Sequence, residues 1–226
     1  MLDKLLDLDQ KLTLLLNGSD SLFWDGVAQT ATSTLTWIPL AIVLLYVIIR
    51  NNDIKNVGLI IVAMALCVLV ADQVASGICK PLFARFRPAQ DPQIMYLVDI
   101  VDGYRGGRYG FFSSHASNTF ALAVFVSLLI RHKALTLGLI SWALLNCWTR
   151  VYLGVHYVGD LFVGTCFGCF VGVVVYFIFK RITKLEIDEL HRPEIQTSTG
   201  YSPEDAYLLL SALLLIYIYI LIRAVC

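Results

Sequence analysis

Arg150, His156 and Asp160 fall within eleven residues of one another, in the run C-W-T-R-V-Y-L-G-V-H-Y-V-G-D-L over positions 147–161. His156 and Asp160 are four apart. With a helix beginning near His156 they share a face, and the carboxylate accepts from one imidazole nitrogen. That bond fixes the tautomer and leaves the lone pair of the other nitrogen free to attack. Arg150 precedes the histidine across a turn containing Gly154, and its planar guanidinium suits a bidentate grip on a phosphate. A nucleophile, its orienting acid and an anion clamp thus fit in one short stretch. On their own, the same residues read equally well as an ion pair between Arg150 and Asp160 at a membrane edge, with His156 satisfied at a helix end.

Two further stretches carry chemistry-bearing residues. K-P-L-F-A-R-F-R-P over 80–88 brackets six residues between Lys80 and Arg87, and Pro88 stops continuation. Alone, such a cluster reads as snorkelling to lipid headgroups. F-F-S-S-H-A-S-N-T-F over 111–120 opens an apolar run. Ser113 suits the N-cap of a helix whose free amides favour an anion, and His115 sits in its first turn. Together the three stretches supply Lys80, Arg87 and Arg150, donors from Ser113 and Ser114, two histidines and a carboxylate. Three cations converging on a helix N-terminus describe a phosphate site.

The elements that must position these groups are membrane spans. Of 226 residues 58% are hydrophobic and 15% charged, with mean hydropathy +0.73, whereas soluble domains carry about 25% charged residues. The composition predicts an integral membrane protein forming a single domain over 1–226. Zero net charge gives no sign of a nucleic-acid partner. Apolar runs predict an all-α fold of six spans, near 35–49, 57–75, 113–130, 134–149, 158–179 and 206–225. Residues 21–33 lead into the first span, and a long polar stretch begins near Gly77. Leu2, Leu5, Leu6, Leu12 and Leu16 fall near one face of an N-terminal segment charged on the other, which predicts an amphipathic helix lying in the membrane interface. Cys166 and Cys169 form a C-x-x-C within T-C-F-G-C-F-V-G, read as small residues packing a membrane helix. The 180–205 connector carries no legible motif.

Six spans put 77–111, 147–160 and both termini on one side. The opposite side carries eight basic residues (Arg50, Lys55, Arg131, Lys133, Lys180, Arg181, Lys184 and Arg192), against six on the first once Lys80, Arg87 and Arg150 are set aside. By the positive-inside rule, the site then faces away from the cytoplasm.

K-x6-R-P, then S-S-H, then T-R-x5-H-x3-D resembles the three-part signature of the type 2 phosphatidic acid phosphatase superfamily, in order and in spacing, over residues 80–160. The resemblance implies that Lys80, Arg87 and Arg150 bind phosphoryl oxygens, helped by Ser113 and the Ser114 amide. It implies that His156 is the nucleophile forming a phosphohistidine, that Asp160 orients it, and that His115 protonates the leaving oxygen. No metal or other cofactor is implied, since three cations take the part that metal ions play elsewhere. Two positions depart from the family pattern: Phe112-Ser113-Ser114-His115 stands where P-S-G-H is usual, and Thr149-Arg150 where Ser-Arg is usual. Neither change removes a catalytic group.

A site at the membrane surface suits a phosphorylated membrane lipid entering from the bilayer, with no protein partner implied. On the loop D-G-Y-R-G-G-R-Y-G-F over 102–111, Arg105 and Arg108 are extra cations suited to a second phosphate, a sugar, or ordinary headgroups. The short chain and the G-G-R-Y-G-F-F-S-S-H-A run resemble bacterial inner-membrane members of the superfamily. This implies a lipid A phosphatase, with the 4′-phosphate preferred over the 1-phosphate. Undecaprenyl diphosphate and then phosphatidylglycerophosphate or phosphatidate are the alternative substrates. A non-enzymatic anion-binding membrane protein and a vanadium haloperoxidase are the readings from other classes.

Overall fold

The computed structural model describes residues 2–184 and 197–225. The part of the connector from 185 to 196, Arg192 included, lies outside the described residues. Among them the secondary structure is helical, with no strand, and Phe86 and Tyr109 form an isolated bridge. The helices are α1 (Leu2–Leu16), α2 (Leu22–Thr32), α3 (Ile38–Asn51), α4 (Ile54–Asp72), α5 (Lys80–Phe83), α6 (Ser114–Ile130), α7 (Lys133–Tyr152), α8 (Val158–Thr183) and α9 (Pro203–Val225). Among the described residues, four stretches are long and apolar enough to cross a membrane: Thr34–Asn51, Ile54–Phe83, Val158–Thr183 and Pro203–Val225. The 17-residue α6 and the 20-residue α7 pack within the same bundle.

Two local readings of the sequence need revision. Residues 21–33 do not simply lead into a span. They form α2, separated from α3 by extended backbone at Ser33. The break is bridged by Thr36 Oγ1 donating to the Thr30 carbonyl at 2.6 Å and Trp37 Nε1 donating to the Ala31 carbonyl at 2.8 Å. The polar stretch does not begin at Gly77 either. A π-helical turn over Gln73–Cys79 carries the helix on to Phe83, where Ala84 ends it in a left-handed conformation. Such wide turns recur at functional sites. This one lines up Asp72, Ser76 and Lys80: Lys80 Nζ donates to Ser76 Oγ at 3.0 Å, and Ser76 Oγ donates to Asp72 Oδ1 at 3.3 Å.

Helix α6 is the hub, packed on α4, α7 and most extensively on α8. Cys166 is exposed, and Cys169 is partly buried and packs against the core. The closest approach of α6 and α8 is at glycines one helical turn apart. A Cβ at Gly164, Gly168 or Gly172 would stand 2.6, 2.4 or 2.6 Å from the carbonyl oxygens of Ser113, Ser117 and Ala121. Small residues at i and i+4 let two backbones approach where apolar side chains gain little from leaving lipid. The start of α8 is thereby locked in register with the start of α6. At the far end of the bundle, the buried Asp205 accepts from Arg50 Nη1 at 3.1 Å and from Asn51 Nδ2 at 2.7 Å.

Gly168→Ala should push α6 and α8 apart, at about 1–3 kcal/mol for overpacking and about 2–4 °C of Tm per kcal/mol in a chain of this size. Gly58→Ala is the control, because a Cβ there meets nothing within 4 Å. Thermal unfolding of the two variants in the same detergent measures the difference, and an unchanged Tm for Gly168→Ala would refute the packing account.

Candidate active site

Four chain segments meet at one end of the bundle: the end of α5, the start of α6, the end of α7 and the turn into α8. The α7–α8 turn is tight. The His156 and Val155 amides both donate back to the Arg150 carbonyl, at 3.2 and 3.1 Å. Gly154 makes this possible at φ +65, where a Cβ would lie 2.4 Å from Val98 Cγ1. Its carbonyl accepts from the Ala89 amide at 3.0 Å, tying the turn to the R-P segment.

His156 is not in the helix, which starts at Val158. It nevertheless reaches Asp160, with Nδ1 3.3 Å from Oδ2, because Asp160 sits in the first helical turn and folds back. The same Oδ2 accepts from the Tyr157 amide at 3.1 Å. The carboxylate therefore caps its own helix and faces the imidazole. Both side chains are buried, at 1% and 0% exposed. A carboxylate only accepts, so His156 Nδ1 carries the proton and Nε2 carries the lone pair. Burial, and then the positive charges of Arg87, Arg150 and Lys80, hold His156 well below its usual range, so it is neutral.

The start of α6 is bonded directly to this turn. The Ser113 amide donates to the Asp160 carbonyl at 3.1 Å, and Ser113 Oγ caps the helix by accepting from the Ala116 amide at 3.4 Å. Ser114 Oγ accepts from Lys80 Nζ at 3.1 Å. His115, in the first turn of α6, lies within electrostatic reach of Arg150, His156, Lys80 and Arg87.

Arg87 and Arg150 complete the cationic wall. Arg87 Nε donates to the Tyr109 carbonyl at 3.1 Å. Gly106, at φ +63, lets the glycine-rich loop lie against that guanidinium, since a Cβ would stand 2.6 Å from Nη1. Burial and the neighbouring Arg150 hold Arg87 below its usual range. Arg150 is 2% exposed. Its Nη1 donates to Thr32 Oγ1 at 2.5 Å and its Nη2 to Tyr104 Oη at 3.1 Å. Its Nε is buried with no hydrogen-bond partner among the described residues. Burial would push the Tyr104 phenol up, but Arg150 and Arg87 beside it bring it below its usual range.

Arg105 and Arg108 do not join this wall. Arg105 Nη1 donates to the Ala89 carbonyl at 2.7 Å and braces the loop. Arg108 is exposed, its guanidinium 5.3 Å from the centre of the Phe86 ring.

Arg85, Thr32 and Tyr104 escaped the sequence reading. Arg85 Nη1 donates to Asp160 Oδ1 at 2.9 Å and Nη2 to Asp9 Oδ2 at 2.7 Å, and its guanidinium lies 4.0 Å from the centre of the Tyr157 ring. Burial would lower Arg85, but Asp160 and Asp9 hold it above its usual range. Its place inside K-P-L-F-A-R-F-R-P was visible as one more basic residue. Its two carboxylate partners were not.

The PAP2 superfamily profile matches residues 56–184. The lipid A 4′-phosphatase of Bacteroides thetaiotaomicron is 40% identical over 184 residues, which cover 81% of this chain and 82% of that protein. The lipid A 4′-phosphatase of Porphyromonas gingivalis is 36% identical over 178 residues, covering 79% and 75% respectively. No solved structure matches the chain. The chain belongs to the PAP2 superfamily, the type 2 phosphatidic acid phosphatases that its residues 80–160 resemble.

Proposed function

We propose that this protein is a lipid phosphatase that removes a phosphomonoester from lipid A, the 4′-phosphate in preference to the 1-phosphate. The observation that carries the chemistry is the buried, neutral His156, whose Nδ1 is held by Asp160 and whose ring lies in the field of Lys80, Arg87 and Arg150. The names of the two relatives carry the substrate. Undecaprenyl diphosphate and then phosphatidylglycerophosphate or phosphatidate remain the competing substrates.

In this reading, Lys80, Arg87 and Arg150 take the phosphoryl oxygens. The Ser113 hydroxyl and the Ser114 amide help, and the unpartnered Arg150 Nε–H supplies an open donor. Phosphoryl transfer asks the protein mainly for in-line placement and charge stabilisation. His156 Nε2 attacks phosphorus as the P–O bond to the lipid breaks, and Asp160 stabilises the positive charge that develops on the ring. His115 gives the leaving oxygen its proton. Water then attacks the phosphohistidine, returning His156 and releasing phosphate. Exposed at the loop's rim, Arg108 is available to a second phosphate or a sugar, whereas one donor of Arg105 is committed to Ala89.

The whole chain acts in this reading as one membrane-embedded domain. Six spans are formed by the α3, α4–α5, α6, α7, α8 and α9 segments. Helix α1 lies in the interface, consistent with the exposed Leu5, Leu8, Leu12 and Leu15. The distribution of basic residues supports a bacterial inner-membrane location with the site on the periplasmic face. The substrate reaches it from the bilayer.

Phosphate release by the detergent-purified protein, with lipid A, undecaprenyl diphosphate and phosphatidate as substrates, tests the reading. We expect turnover of lipid A to persist in EDTA and to be lost in His156→Ala. Turnover by Asp160→Asn should fall by up to about 10⁴-fold, the loss seen when the acid that orients a catalytic histidine is neutralised. Removing one preorganised donor with Arg150→Ala should cost about 10²–10³-fold in kcat. An acid-labile phosphoryl group on the wild-type protein, absent from His156→Ala, is the expected intermediate. Full activity in His156→Ala would rule out this mechanism, and a preference for another lipid would reassign the substrate.

Loss of a phosphate lowers the negative charge of the lipid surface, so cationic peptides have less to bind. Vesicles containing lipid A should bind polymyxin B more weakly after treatment with the enzyme than after treatment with His156→Ala. Equal binding by the two preparations would count against lipid A as the substrate.

A further inference from the structure

The N-terminal helix does more than cover the bundle. Asp9, on its third turn, makes two bonds to the catalytic end of the molecule. Its Oδ1 accepts from the Gly159 amide at 2.7 Å, and its Oδ2 accepts from Arg85 Nη2 at 2.7 Å. One turn later the fully buried Thr13 accepts from the Val158 amide at 3.1 Å. The first turn of α8 leaves amides without intrahelical partners. Here α1 satisfies those of Val158 and Gly159, and Asp160 satisfies that of Tyr157. The fit is close, since a Cβ on Gly159 would lie 2.7 Å from Asp9 Oδ2.

Arg85 links α1 to the histidine pair. Its two guanidinium nitrogens are shared between Asp9 and Asp160, whose side chains are 14% and 0% exposed. Because His156 is neutral, Asp160 has no charge compensation from the imidazole, and Arg85 is the cation bonded to it. The fork geometry of arginine fixes direction as well as charge. With one prong on Asp9, the other is aimed at Asp160 Oδ1, which leaves Asp160 Oδ2 turned toward His156 Nδ1.

We propose that α1 belongs to the catalytic apparatus, with Asp9 a positioning residue that acts through Arg85 and the first turn of α8 to hold Asp160 against His156. The proposal rests on the reading of His156 as the nucleophile. Asp9 touches none of the phosphate-binding cations, so its removal affects turnover and spares phosphate binding. Asp9→Asn is the informative change. The amide oxygen still caps Gly159, while the charge that anchors Arg85 is gone.

The test uses the full-length protein in lipid A–detergent micelles, with kcat, KM and competitive inhibition by inorganic phosphate measured together. We expect Asp9→Asn to lower kcat on the order of 10–100-fold, as loss of a carboxylate supporting a functional histidine does elsewhere. KM and the phosphate inhibition constant should stay within about twofold, the signature of an interaction that matters only during reaction. Gly159→Ala, which displaces Asp9 from the other side, should show the same split. Arg85→Lys should also lose turnover, and adding it to Asp9→Asn should cost little more, because the two residues act in one network. A wild-type kcat in Asp9→Asn overturns the proposal, as does a double variant whose losses multiply. A parallel shift of KM and phosphate inhibition also overturns it, since that marks a change in phosphate binding rather than in positioning of His156. His156→Ala measured alongside separates the two ideas. If it is inactive while Asp9→Asn is fully active, only the role of Asp9 fails; if it turns over normally, the histidine reading fails and the proposal with it.

Discussion

A carboxylate without access to solvent must be matched by positive charge or hydrogen bonds, and Asp160 is fully buried. Its four contacts define the end of the bundle where the candidate active site lies. Oδ2 faces His156 and caps Tyr157, Oδ1 takes Arg85, and the backbone carbonyl takes the Ser113 amide. The contacts come from three segments, so the position of one carboxyl group depends on the turn before α8, the R-x-R-P segment and the start of α6. The glycine stripe on α8 serves the same end, because α6 and α8 must be in contact for Ser113 to reach Asp160.

Lys80, Arg87 and Arg150, the cations proposed to bind phosphate, pose the opposite problem. Burial, and then repulsion from the neighbouring Arg150, hold Arg87 below its usual range. In this structure neutral oxygens hold all three: Ser76 and Ser114 on Lys80, the Tyr109 carbonyl on Arg87, Thr32 and Tyr104 on Arg150. These contacts orient the side chains without cancelling their charge. Donors held in place by the protein's own contacts are the condition for strong electrostatic stabilisation of a transition state.

Much of this was legible in the sequence because its signals are local. Apolar runs gave helices of the bundle, four of them long and apolar enough to cross a membrane among the described residues, S-S-H gave the start of α6, and the four-residue spacing of His156 and Asp160 gave their contact. The contact differs in detail from a shared helical face: His156 precedes the helix, and Asp160 folds back to cap it. What stayed hidden depends on packing between distant segments. Asp9 and Arg85 are 76 positions apart, and Arg150 and Thr32 are 118 apart. An acidic residue on an amphipathic helix carries no mark that separates a solvated charge from a buried anchor. Asp7, two residues before Asp9, is the solvated kind, paired with Lys11 at 60% exposure.

Helix α1 carries two kinds of residue on one surface element. Leu5, Leu8, Leu12 and Leu15 are exposed, while Asp9 and Thr13 point inward to α8. A leucine row of this kind gains free energy from apolar surroundings, at about 25 cal/mol per Å² of surface removed from water. The inward residues gain theirs from the α8 amides and Arg85. The two gains oppose each other only if the helix must turn to satisfy both, and its period of 3.6 residues removes that conflict by placing them on separate faces. Under the proposed function, the bilayer that delivers the lipid would therefore also hold in place the helix proposed to brace Asp160.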